Sequence, residues 1–255
     1  MKVRDIHKDK NYFIAWRNEA QELINDTSIS LKNGEVPDDR ISTVNYLYTR
    51  DHIDKLIAGY SLGLSKDELR AELSHVINLM HQHWYPDQTK VKKRIKNKRV
   101  LLDQYMFEPY EYFLKVLSLA YLLQVEDDSF CKLVDILDRD SISDCLYECI
   151  IKDRQPDRVQ EKEEGYNPNL SVVLKVYKRL REACQVEDKV LAAELVKAFL
   201  EKDFYHRHMV RYNSHKEQYK IYIGYWSFEA AAVVRLRGLD DSSFRDHPYY
   251  PSDLV

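Results

Sequence analysis

Apolar residues recur at intervals of three and four along almost the whole of this chain, and that spacing restricts it to a helical architecture. Tyr12, Phe13, Trp16, Ala20, Leu23 and Ile24 lie on one such stripe and define a first helix. After the break at Asn33, Gly34 and Pro37, Ile41, Val44, Leu47, Tyr48, Ile53, Leu56, Ile57 and Tyr60 carry the same period as far as Gly63. Ser65 and Glu68 then have the spacing of a capping box, in which each side chain satisfies an unpaired backbone donor at a helix start. Leu69, Leu73, Val76, Ile77, Met80 and Trp84 form the buried face of that third helix.

Pro86 ends the third helix, and residues 86–88 form the expected junction between two parts of the chain. Pro109 suits the first turn of a helix bearing Tyr110, Phe113, Leu114, Leu117, Ala120 and Tyr121. Amphipathic segments at 129–138 and 141–152 precede a charged stretch, 154–169, that reads as an exposed, mobile linker. Helical spacing resumes with Val172, Val173, Val176, Tyr177 and Leu180, then with Val190, Leu191, Leu195, Val196 and Phe199. The last helix is expected to hold Tyr222, Ile223, Trp226, Ala230 and Val234, with Gly238 as its cap. Sustained period-two alternation and an Asn-Gly hairpin between strand patterns are both missing. The expectation is an all-α bundle of about eight to ten helices, with a smaller N-terminal helical part (1–86) packed on a larger C-terminal domain (87–255).

Composition agrees, since 44% hydrophobic residues with only 6 Gly and 7 Pro is too apolar for disorder and too poor in turn formers for a many-stranded sandwich. The opening residues, MKVRDIHKDK, lack the apolar core of a signal peptide, and no segment approaches the roughly 18 apolar residues of a membrane helix. A cytoplasmic protein without membrane contact is expected. Cys131, Cys145, Cys149 and Cys184 sit among apolar neighbours without CxxC spacing, so reduced and mostly buried thiols are the simplest reading.

The net charge of -3 conceals two opposed regions. Residues 90–99, KVKKRIKNKR, carry seven positive side chains and no acid. Residues 126–164 hold 13 acids against six bases, a local net of -7. The basic run could engage phosphates in a nucleic-acid-binding helical module. With no aromatics interleaved for stacking, a solvated face of a helix or loop is the simpler reading, and no direct nucleic-acid partner is expected.

Residues that could carry chemistry are few. His81 and His83, like His206 and His208, are two apart, and on a helix such residues point to different sides, so structural histidines are favoured over ligands. Cys145 and Cys149 could share a helix face, but no second pair follows at zinc-site spacing. A Gly-rich phosphate loop, a G-x-S-x-G elbow and an H-E-x-x-H helix are all missing. No cofactor, metal or catalytic residue is assigned, and the chain is expected not to be an enzyme.

The most distinctive stretch is the last 37 residues, YKIYIGYWSFEAAAVVRLRGLDDSSFRDHPYYPSDLV. An aromatic, Gly-Tyr-Trp-x-Phe-Glu-Ala-Ala-Ala pattern occupies Tyr222 to Ala232, with Ile223 before Gly224. Asp-Asp-Ser follows at Asp240 to Ser242, and Tyr-Tyr-Pro-x-Asp-Leu at Tyr249 to Leu254. This pattern resembles the C-terminal domain of the PoNe immunity protein family, and residues 109–123 resemble the start of that domain. The resemblance implies a helical protein that binds and neutralises a cognate DNase toxin of the PoNe type, which has a PD-(D/E)XK-like nuclease fold. The motif reads as a fold signature, so the toxin-facing residues are sought in the acidic middle of the chain instead. Clustered carboxylates mimic the charge of DNA and steer docking onto a surface built to attract phosphate. The expected contacts are Asp135, Asp138, Asp144, Glu148, Asp157, Glu161, Glu163 and Glu164, with Tyr147 and Tyr166 as aromatic anchors. A homodimer stays open at this level.

Overall fold

The computed structural model describes residues 2–159, 166, 167, 169, 171–205 and 212–255. The described residues are mainly helical, as the apolar period requires, and they divide into two compact units. The first comprises Met1–Gln88 and Asn213–Gly224, and the second Thr89–Tyr212 and Tyr225–Val255. A linear cut at 86/87 therefore leaves out the return of 213–224 to the first unit.

The first unit is built on three long helices, α1 (Lys10–Lys32), α2 (Ile41–Leu62) and α3 (Lys66–His83), followed by one turn, α4 (Pro86–Thr89), at its edge. Asp9 caps α1 by accepting from the Tyr12 N–H, and the Ser65–Glu68 capping box starts α3 as its spacing demands. Gly63 ends α2 in the left-handed region (φ 99°), open to glycine at no steric cost. The core gathers Phe13 from α1, Ile53, Leu56 and Ile57 from α2, and Leu69, Leu73 and Ile77 from α3, all essentially sealed from solvent. Gly59 lets Arg17 lie against α2, since a Cβ there would stand 2.5 Å from its Nη1. That atom donates to the Lys55 carbonyl (2.6 Å), and the guanidinium pairs with Glu72.

In the second unit, α5 (Phe107–Leu122) is buried on nearly every side, with Phe113, Leu114, Val116 and Leu117 inaccessible. Around it stand α6 (Asp127–Arg139), α7 (Cys145–Arg154) and the last helix, α11 (Phe228–Arg237). The shorter α8 (Val173–Val176), α9 (Lys178–Gln185) and α10 (Lys189–Ala198) also belong to this unit, and a π-helical turn, Phe199–Phe204, extends α10. Ala230, Ala231 and Ala232 are fully buried and let α11 approach α5 closely. Gly238 caps α11 with φ 55°, as its position implies. The tail docks back: the Ser227 N–H donates to the Tyr249 carbonyl (2.9 Å), and the Tyr250 hydroxyl to Asp241 (3.1 Å).

Two expectations need correction. The basic run is not helix or loop but an antiparallel hairpin of β1 (Lys90–Ile95) and β2 (Lys98–Tyr105). Lys96 and Asn97 form its two-residue turn with φ of 44° and 66°, the positive pair that a type I′ turn requires. The final helix starts at Phe228 rather than near Tyr222. Before it, the backbone bonds sideways: the Tyr222 carbonyl accepts from Tyr12 (2.9 Å) and the Ile223 carbonyl from Ser61 (2.6 Å). Gly224 has φ 110°, outside the helical region.

Candidate functional site

The acidic run separates into an outer and an inner set once α6 and α7 are in place. Helix α6 turns Phe130, Leu133, Val134, Ile136 and Leu137 inward at helical spacing. Its polar face therefore carries Asp127, Asp128, Asp135 and Asp138 into solvent. Asp127 and Asp128 sit in the first turn, where the helix dipole favours negative charge. Among the described residues of the run, seven carboxylates are exposed, namely these four with Glu126, Asp153 and Asp157. The described part of the charged stretch 154–169 is exposed at Asp157 and Val159 and half-buried at Arg158, Tyr166 and Asn167.

The inner set is Asp140, Asp144 and Glu148. Asp144 caps α7, its Oδ1 accepting from the N–H groups of Leu146 (2.8 Å) and Tyr147 (3.1 Å) and from the Tyr110 hydroxyl (3.2 Å). Its Oδ2 accepts from Arg181 Nη1 (2.6 Å) and the Tyr166 hydroxyl (2.7 Å). Five donors thus converge on one carboxylate that is 1% exposed. Tyr147 is fully enclosed and stacks on Tyr110 with ring centroids 4.8 Å apart. Burial, with the Asp144 charge close by, pushes the hydroxyls of Tyr110, Tyr147 and Tyr166 well above the usual tyrosine range. Asp140 accepts from the Tyr105 hydroxyl (2.8 Å) and, through its backbone carbonyl, from the ammonium of Lys90 (2.7 Å).

Arg158 joins the two sets. Its guanidinium donates to Asp138 (2.7 and 3.1 Å) and to Glu148 (3.0 and 3.1 Å), tying the end of α6 to α7. The hydrogen bond to Asp138 is the main reason its pKa rises further. A cavity of about 730 Å³ opens at this clamp, with Leu137, Ile142, Pro156 and Val159 in its lining. Arg154 pairs with Asp127 and lies over the Phe130 ring, 4.5 Å from its centroid.

Of the ten residues expected at a toxin interface, Asp135, Asp138 and Asp157 are exposed. Asp144, Tyr147 and Glu148 are interior, and the half-buried Tyr166 spends its hydroxyl on Asp144. Glu161, Glu163 and Glu164 lie outside the described residues, as do His206 and His208. Sequence reading missed Arg158 and Arg181 as organisers, because each meets its carboxylate only through tertiary folding. The Asp144 cap had a local signal, an aspartate directly before a helical segment.

Among the described residues, no group of three or more His, Cys, Asp or Glu is placed to hold a metal ion, and no helix is long and apolar enough to cross a membrane. The cysteines are unbridged; Cys131 is exposed and the other three are half-buried, less enclosed than their neighbours suggest.

The family model for the N-terminal part of PoNe immunity proteins (PoNi) matches residues 4–135, and that for the C-terminal part matches residues 142–254, so residues 109–123, expected at the start of the C-terminal domain, fall in the N-terminal match. Together they span nearly the whole chain and mark it as an immunity protein. The chain belongs to the PoNe immunity protein (PoNi) family. No curated protein matches it. The crystal structure of protein PA2201 from Pseudomonas aeruginosa has a similar fold, with a TM-score of 0.63 and 16% identity over 99% of this chain and 89% of that one.

Proposed function

We propose that this immunity protein binds and neutralises a cognate DNase toxin of the PoNe type, acting in the cytoplasm by occlusion rather than catalysis. Membership of the PoNi family over almost the entire chain carries this reading. The docking surface we assign is the outer face of α6 with the segment after α7, where Asp128, Asp135, Asp138 and Asp157 stand in solvent. A DNase must present cationic groups to phosphate, and a field of carboxylates competes for them while accelerating encounter. The inner carboxylates, Asp144 and Glu148, support the scaffold behind that face. The test is growth of cells expressing the neighbouring toxin gene, with and without this protein. Restored growth together with a purified complex is expected; toxin that stays lethal and unbound overturns the proposal.

A further inference from the structure

The hairpin carries the largest charged feature that the immunity reading leaves unused. Only Lys90, the first of its cations, is committed internally, through Asp103 (2.9 Å) and the Asp140 carbonyl (2.7 Å). Lys92, Lys93, Arg94, Lys96, Lys98 and Arg99 are all exposed, and among the described residues none has an acidic partner. Lys92, Lys93, Arg94, Asn97 and Arg99 line one open concavity.

The register fixes where these charges point. Residues paired across an antiparallel ladder share a face, so Lys92 with Leu101 and Arg94 with Arg99 lie on one side. Lys93 with Val100 and Ile95 with Lys98 lie on the other. Arg94 directly opposes Arg99, a like-charge pair that destabilises a sheet, in a two-stranded ribbon that is marginal to begin with. Among the described residues no acidic side chain offsets that repulsion, and an anion bound from outside the chain would relieve it.

Three observations choose the anion. Four of the six free cations are lysines, a residue depleted in protein interfaces. Residues 91–104 hold no aromatic side chain, so the ribbon offers no platform on which single-stranded bases could stack. Cations stand on both faces, whereas a flat partner meets only one and a groove encloses both. The major groove of B-form DNA, about 12 Å wide, admits a two-stranded ribbon, and the deep, narrow major groove of duplex RNA does not. We propose that the β1–β2 hairpin seats in the major groove of duplex DNA as a sequence-independent element, neutralising phosphates on both groove walls. The basis is separate from the acidic face, and the hairpin can dock on DNA whether or not a toxin does so elsewhere.

The test titrates the full-length protein against a labelled duplex of about 20 base pairs between about 50 and 200 mM salt. Micromolar binding at low salt is expected, with log K falling against log salt at a slope of about -4.5 to -5.4, as five or six neutralised phosphates dictate. The triple variant Lys92→Gln, Arg94→Gln, Arg99→Gln should flatten that slope by about 2.7, because each lost phosphate contact removes about 0.9. Arg94→Lys with Arg99→Lys keeps the charge and should keep the slope, which separates lost cations from a damaged ribbon. Wild-type protein that fails to bind at about 50 mM salt overturns the proposal, as does a triple variant with an unchanged slope. Equal affinity for duplex RNA or single-stranded DNA overturns the groove assignment. Equal affinity for a polyglutamate peptide of matched charge overturns it in favour of an acidic protein partner.

Discussion

Asp135 and Asp144 belong to the same acidic run, yet the first stands in solvent on α6 while the second is sealed at the start of α7 beneath five hydrogen-bond donors. The difference lies in burial. Positions facing outward from α6 keep access to water, and a carboxylate there costs little and lends its field to docking. A carboxylate turned inward must be compensated, and Arg181 with the tyrosines does so at Asp144. Net charge per segment therefore overstates the anionic surface, because three of the ten described acids between 126 and 157 face inward.

The sharpest way to break this distinction is Asp144→Ala, which removes the carboxylate paired with the buried Arg181 guanidinium and the acceptor shared by the hydroxyls of Tyr110 and Tyr166 and two capped N–H groups. It should cost about 3–5 kcal/mol in urea denaturation; a loss under about 1 kcal/mol would mean the inner set is no scaffold. Arg158→Gln releases both Asp138 and Glu148, and with part of the clamp open to water the expected loss is about 1–2 kcal/mol. Outside the acidic region, His52 offers a comparison in pH. Burial and the neighbouring His75 and Lys55 lower its pKa to about 4, so the unfolded chain binds the extra proton between that value and 6.5. Its stabilising contribution is whole above pH 6.5 and is lost as pH falls towards 4, by about 1 kcal/mol after discounting for partial exposure. Thermal melts across that window should show His52→Gln less acid-sensitive than the parent. Asp135→Lys and Asp157→Lys should leave folding stability within about 0.5 kcal/mol while weakening toxin binding.

The helices were legible because burial on one side imprints the 3.6-residue period, most clearly in α3 with its Ser65–Glu68 box. The hairpin was not, since a ribbon exposed on both faces has no apolar alternation to display, and Lys96-Asn97 makes its turn without the Asn-Gly signal. The run 222–226 misled for the opposite reason: Tyr222, Ile223, Tyr225 and Trp226 are buried at helix-like spacing, but hydroxyls from Tyr12 and Ser61 satisfy its backbone. The cap role of Asp144 left a local trace, but its burial was not legible, because Arg181 reaches it from 37 positions away.

The most direct measurement is the affinity of the neighbouring toxin, in catalytically inactive form, for the parent protein and for the triple variant Asp128→Lys, Asp135→Lys, Asp157→Lys, each taken across a range of salt. A cationic face docking on these carboxylates predicts at least tenfold weaker binding and a shallower salt dependence for the variant, with folding stability lowered by no more than about 1 kcal/mol through the reversed charge at the start of α6. Unchanged affinity with an unchanged salt dependence would contradict it, and would move the toxin-binding surface away from α6.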